Sequence, residues 1–330
     1  MALKIISWNL KNIGQSKLSN KIDPMLAGAG LGNNALDYMM NVVMGDAIWQ
    51  NINGTAPVDI FVVIELKSGG TAKGNAVSGT AIPTLNALSN AMNNVANANN
   101  ITAQYHYSYA TPLITGRHEC VGVIYNDTRL TPTATGVGRN SANNQFLRPR
   151  TPFWVTFSDS VTNGTFNLIG IHAPPPKGSR SSGSFYVDPI NFCVQMANVD
   201  QINGAGVANA SLVGDFNCSP TSSYTKYPPP NYTATAVQPF TGLTNFQGII
   251  TNQLTSVRKK VNNVLNPPAN YLADSYDNII YRPNNAGINA SGVLDTIGNA
   301  PAALYQNNLR RLVSNFWKVS DHLPVMVILN

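Results

Sequence analysis

The chain has 330 residues, 43% of them hydrophobic, enough to bury a large core in one α/β domain or two smaller ones. Only 11% are Asp, Glu, Lys or Arg, well below the roughly one quarter of an ordinary protein, so Asn, Ser, Thr and Gly must cover most of the surface. The excess of 21 Lys and Arg over 15 Asp and Glu (net charge +6) suits an anionic partner such as nucleic acid or a lipid head group, and equally suits simple solubility; no run approaches the roughly 18 apolar residues of a membrane span, which excludes a transmembrane helix.

Met1 leads almost at once into an apolar segment, unlike a signal peptide, although a secreted chain without its leader would begin the same way. Residues 4–10 (KIISWNL) read as a buried strand ending in a loop at Gly14. Between 34 and 52, Leu36, Met39, Met40, Val43, Met44, Ala47 and Ile48 recur at the spacing of an amphipathic helix, so the methionine stripe belongs to the core. Residues 58–66 (VDIFVVIEL) form a near-continuous apolar run, as in a central strand covered on both faces, with Glu65 as its anomaly. A helix follows at 82–98. Strands are expected at 104–110, 121–126, 152–157 and 166–172, then a helix around 189–202 and strands at 211–217 and 278–282. A helix at 302–316 and a strand at 324–329 close the chain, and this interleaving is that of an α/β fold. The prolines of YTKYPPPNY (224–232) exclude a helix or central strand there and predict a surface loop. Cys120, Cys193 and Cys218 show no metal-type pairing and make a poor disulfide framework, so the redox compartment stays open.

Polar residues stand at the C-terminal ends of apolar strands, where side chains enter a cleft instead of a core. They are Asn9 in SWNL, Glu65 in VVIELK, His172 in LIGIHAPP, Asp215 with Asn217 in LVGDFN, and Asp321 with His322 in VSDHLPV. Each alone has a bland reading: a strand-end Asn caps a turn, HAPP is a histidine before a proline-fixed loop, GDFN is an ordinary turn, and SDH is an N-cap. Their common order, with YDNI at 276–279 between the last two, is what carries meaning.

In these motifs the chain resembles the endonuclease/exonuclease/phosphatase superfamily, which includes deoxyribonuclease I, neutral sphingomyelinases and inositol polyphosphate 5-phosphatases. The resemblance runs from Lys4 to Leu329, and GDFN with SDHLPV is its most specific part. It implies a four-layer α/β sandwich of two packed mixed sheets flanked by helices, as one domain over residues 1–330 with a loop insertion within 219–275. It also implies a divalent cation on Glu65 and Asn9, with Asp321 and further Asp215 and Asn217 at a second or shifting position; such oxygen ligands suit Mg²⁺, Mn²⁺ or Ca²⁺.

The implied chemistry is metal-dependent phosphodiester hydrolysis, which needs an in-line water and neutralisation of charge on an anionic substrate. By resemblance His172 and His322 flank the scissile phosphate, Glu119 orients His172, and Asp277 orients His322. Asn217 would donate to the phosphate and Asp215 would position the water or the leaving group; which histidine is the base stays open.

The IHAPP segment departs from the exonuclease III branch, which carries a tyrosine motif there. TPLITGRHECVGVIYN and RPRTPFWVTF are similar to deoxyribonuclease I segments, matching Arg117 and Glu119 and making Arg150 a phosphate contact. Lys67 stands where that enzyme has arginine, so the bidentate grip is lost and sequence readout should be poor. Lys177 and Arg180 are further candidate phosphate contacts, whereas Arg258, Lys259 and Lys260 read more simply as a solvated loop. The expectation is a monomeric endonuclease acting on DNA with little sequence specificity; the alternative is a sphingomyelinase-like or inositol-phosphate phosphatase-like enzyme of the same superfamily.

Overall fold

The computed structural model describes residues 2–24, 32–45, 57–67, 80–109, 119–138, 150–177, 187–196, 209–219, 246–250, 253–259, 271–282, 287–298 and 309–330. Their strands are β1 (Leu3–Ile13), β2 (Ile60–Lys67), β3 (Tyr105–Tyr109), β4 (Glu119–Asn126), β5 (Leu130–Val137), β6 (Phe153–Asp159), β7 (Gly164–His172), β8 (Ala210–Asp215), β9 (Gln247–Gly248), β10 (Asp277–Arg282), β11 (Ile288–Val293) and β12 (Val325–Leu329). The helices are α1 (Gln15–Leu18), α2 (Ala35–Val43), α3 (Ala81–Ala98), α4 (Val187–Met196) and α5 (Leu309–Phe316).

Period-two alternation in the central strands sorts their side chains between two cores. In β2, Ile60, Val62 and Ile64 face one apolar cluster while Phe61 and Val63 face another; in β1, Ile5 faces the first, and Ile6 and Trp8 the second. The first cluster lies between two sheets, where Ile5, Ile60, Val62 and Val123 meet Val155, Phe157, Leu168 and Val213. The second lies under helices, where Phe61 and Val63 meet Met39 of α2, Leu88 and Met92 of α3, and Phe316 of α5. A third puts Phe192 and Met196 of α4 on Ile169, Ile171 and Leu212, the outer face of the second sheet. The result is a four-layer α/β/β/α sandwich, with sheet orders β11-β12-β1-β2-β4-β3 and β5-β6-β7-β8-β10-β9.

The expected strands and helices recur within a few residues of their boundaries. α1, β5, β9 and β11 were not anticipated. α1 and β9 are too short to show a period, and β5 and β11 are largely exposed, so no buried alternation marks them in the sequence. The continuations expected for the helices at 34–52, 189–202 and 302–316 fall partly outside the described residues, as does YTKYPPPNY. The stretch 219–275, read as an insertion, is described only in part, and that part builds the site.

Topology decides where polar strand ends gather. β1 runs parallel to β2 and β7 parallel to β8, so Asn9, Glu65, His172 and Asp215 come to one end of the sandwich. The antiparallel partners β4 and β10 begin at that same end, pairing Glu119 with Lys67 and Asp277 with Asp215. At the other end, buried Arg129 joins the sheets through Asp59 Oδ2 (3.0 Å) and Asp159 Oδ2 (2.9 Å).

Candidate active site and metal centre

The ends of β1 and β2 are bent out of regular pairing. Lys11, Asn12 and Glu65 have φ of 46°, 54° and 59°, a left-handed conformation costing on the order of 1 kcal/mol each for non-glycine residues. Register shifts accompany them between Asn9 and Ile13 and between Val63 and Leu66. The bend turns side chains toward one point: Asn12 N donates to Glu65 Oε2 (2.9 Å), Asn9 Nδ2 donates to Glu65 Oε1 (3.1 Å) and Asp215 Oδ2 (2.9 Å), and Asn9 Oδ1 accepts from Lys11 N (3.0 Å). Lys17 Nζ holds the bend from behind by donating to the carbonyls of Leu10 and Lys11, each at 2.7 Å. Burial lowers its pKa to about 8, against the opposing pull of Asp321.

His172, at the end of β7, lies 3.5 Å from Glu65 and 3.6 Å from Asp215 through Nε2, and 3.7 Å from Glu119 through Nδ1. Arg150 closes this group: Nε is 2.6 Å from Glu119 Oε1, and Nη1 contacts His172 Nε2 and donates to Ala173 O (2.7 Å). Arg150 thus lies inside the site instead of on an open groove. Asn217 (φ 49°) donates from N to Asp215 Oδ1 (2.7 Å) and from Nδ2 to Ala173 O (2.9 Å). Gly214, before Asp215, has φ 142°, and a Cβ there would overlap the Ile171 carbonyl, so the glycine of GDFN permits the approach of β8 to β7.

His322 Nδ1 meets Asp277 Oδ2 at 2.6 Å, while Asp277 Oδ1 is buried and accepts no hydrogen bond among the described residues. Burial opposes charge on His322, but Asp277 and Asp215 outweigh it and raise its pKa to about 10. Burial, with repulsion from Asp277, pushes Asp215 up to about 7 despite the opposing charge of His322.

Two sets of side chains can therefore hold a divalent cation: Glu65, Glu119 and His172, and Asp215, Asp277 and His322, each with ligand atoms within 4.8 Å of one another. The carboxylate-rich donors and the orphaned Asp277 oxygen fit a hard ion. Asp321, expected beside Glu65 and Asn9, is in neither set; its Oδ2 pairs with Lys11 Nζ at 2.7 Å, and that ammonium lies 3.5 Å from the Trp317 ring centroid.

Sequence reasoning missed Lys17, Ser320 and Thr255. Fully buried Ser320 donates from Oγ to Asn9 O and accepts from His322 N (2.9 Å), tying the ends of β1 and β12. Thr255 Oγ1 accepts from Tyr276 N (3.1 Å) and Asp277 N (3.0 Å), and its carbonyl accepts from Leu323 N (2.8 Å). Ser320 is the serine of the SDH motif and was findable there; nothing local marks Thr255. Of the expected cations, Lys67 is exposed at the end of β2, and Lys177, 72% exposed, pairs with Asp188 at 2.7 Å. Arg117, Arg180 and Lys260 lie outside the described residues.

The architecture has counterparts among solved structures. An endonuclease/exonuclease/phosphatase family protein from Bacteroides thetaiotaomicron superimposes with TM-score 0.56 at 16% identity, covering 100% of this chain and 97% of that one. This chain has the endonuclease/exonuclease/phosphatase fold. A protein of the same family from Bacteroides vulgatus matches at TM-score 0.51 and 12% identity over 100% and 99% of the two chains. A mannosyl-6-phosphatase from Bacteroides thetaiotaomicron matches at TM-score 0.51 and 15% identity over 99% of each. No family model and no curated protein matches the sequence. The four-layer sandwich implied by GDFN and SDHLPV is thus the observed fold.

Proposed function

We propose that the chain is a divalent-metal-dependent phosphodiesterase and that its substrate is DNA, cut with little sequence specificity. The observation that carries the reading is the meeting, at one sandwich end, of two carboxylate–imidazole sets joined through Asn9 and Asp215. Asp277 Oδ1, buried and without a donor among the described residues, is open to a cation, which a closed structural ion pair would not leave.

Glu65 and Glu119, with Asp215 and Asp277, are the residues that would hold Mg²⁺, or Mn²⁺ or Ca²⁺ in its place, while Asn9 fixes the Glu65 and Asp215 carboxylates. The cation would supply charge neutralisation at the non-bridging and leaving oxygens. His322, kept protonated by Asp277, donates to the phosphate. Asp215, whose carboxylate oxygens are held by Asn9 Nδ2 and Asn217 N, would position the attacking water or the leaving group. Arg150 supplies further positive charge across the cleft, contacts His172 Nε2 and fixes Glu119.

DNA is favoured by the net charge of +6 and by the deoxyribonuclease-like segments around Glu119 and Arg150. The test is hydrolysis of supercoiled plasmid, RNA, sphingomyelin vesicles and inositol phosphates by one preparation in Mg²⁺. Plasmid nicking that EDTA abolishes and Mg²⁺ or Mn²⁺ restores is expected. Turnover confined to sphingomyelin or inositol phosphates would move the substrate to the lipid-directed branch, and full activity after exhaustive chelation would remove the metal mechanism.

A further inference from the structure

The cysteines looked unsuited to pairing in the sequence, yet folding brings two of them together. Cys193 lies in α4 and Cys218 directly follows Asn217, and their Sγ atoms are 3.9 Å apart across 25 residues of chain. Both are fully buried in the apolar cluster between α4 and the outer face of the second sheet, among Ile171, Phe192, Met196 and Phe216. Cys120 is on β4 of the other sheet, outside this cluster. A disulfide needs the sulfurs at about 2.05 Å, and rotation about χ1 moves a cysteine sulfur by on the order of 3 Å, more than the gap requires.

We propose that Cys193 and Cys218 form a disulfide that fastens α4 to the turn carrying Asp215 and Asn217. A thiolate of one cysteine attacks a small-molecule disulfide of the glutathione class, giving a mixed disulfide and releasing one thiol. The second cysteine displaces the other thiol. In sum two S–H bonds and the reagent's S–S bond are lost, the protein S–S bond forms, and both protons leave on the released thiols. The exchange takes place during folding, before both sulfurs are buried. The bond fixes the residue next to Asn217, whose amide groups hold Asp215 Oδ1 and Ala173 O, so it stiffens the floor of the site. The pairing stands on geometry alone and is independent of the substrate.

The full chain is purified without reductant and, in parallel, refolded in a buffer of oxidised and reduced glutathione. Both samples are denatured, alkylated and weighed intact, then digested. The expected result is alkylation of Cys120 alone, a peptide linking Cys193 to Cys218, and a Tm roughly 5 °C lower after reduction. The bond should persist in Cys120→Ser, and the Tm of the Cys193→Ala/Cys218→Ala double variant should not respond to reductant. Alkylation of all three cysteines in both preparations, or a link through Cys120, would overturn the proposal.

Discussion

Asp277 opens β10 in one sheet and His322 precedes β12 in the other, yet His322 Nδ1 reaches Asp277 Oδ2 at 2.6 Å. The dyad therefore bridges the seam between the sheets, as His172 does when it approaches Glu65 and Glu119 from the opposite side. Packing of the two sheets and assembly of the centre are one event.

The dyad should keep His322 charged. Its folded pKa, about 10, lies above the ordinary value of 6.5, so the stabilisation is complete below about pH 6.5 and is lost as pH rises through about 10. Imidazole NMR of the metal-free protein in EDTA should show one histidine protonated through pH 8, and Asp277→Asn should bring its titration down. A His322 resonance that titrates near 6.5 in the parent would contradict this.

If both imidazoles act in the chemical step, His172→Ala and His322→Ala should each lower single-turnover rates roughly 10²- to 10⁴-fold with little change in substrate binding. The losses should not add in the double variant. Asp277→Asn should cost less than His322→Ala, because it frees the ring without deleting it. Rates within a few-fold of the parent for both histidine variants would put the chemistry elsewhere.

Glu65→Gln tests the ion. The bend at the end of β2 should survive, because the Gln oxygen still accepts from Asn12 N, and Asn9 Nδ2, losing Glu65, keeps its bond to Asp215 Oδ2, so the thermal melt should fall only modestly. Mn²⁺ affinity by calorimetry should fall at least about tenfold. Unfolding with unchanged Mn²⁺ affinity would make Glu65 a structural residue.

Thr255→Val keeps the shape of the side chain but leaves the buried Asp277 amide and its neighbour at Tyr276 without their acceptor. About 2 kcal/mol of stability should be lost by urea denaturation. Turnover should fall with KM nearly unchanged, and Thr255→Ser should restore both. Equal activity in the Val and parent proteins would show that the strap around Thr255 does not set the dyad.

Arg150 separates phosphate gripping from positioning. Because its guanidinium is held by Glu119 and Ala173 O, Arg150→Ala should reduce turnover while the salt dependence of DNA binding keeps its slope. A slope flattened by about one unit, with turnover at saturation unchanged, would make it a backbone contact instead.

The sequence by itself determined the α/β class, because near-continuous apolar runs such as Ile60 to Ile64 suit strands covered on both faces, and polar residues ending such strands suit a shared cleft; the four-layer sandwich followed from the resemblance that GDFN and SDHLPV carry. It also marked Glu65, His172, Asp215 and His322, because a charged or imidazole side chain bordering an apolar run has little use in a core, while Asp277 was marked by the resemblance that YDNI carries. It did not reveal β5 or β11, whose exposed faces carry no hydrophobic period, nor Thr255, a common residue type in a polar stretch. Only tertiary structure decided that Arg150 lies against His172, that Asp321 pairs with Lys11, and that Cys193 meets Cys218. Each of these contacts joins segments distant in the chain, and their proximity is set by sheet order and register, which no local pattern encodes.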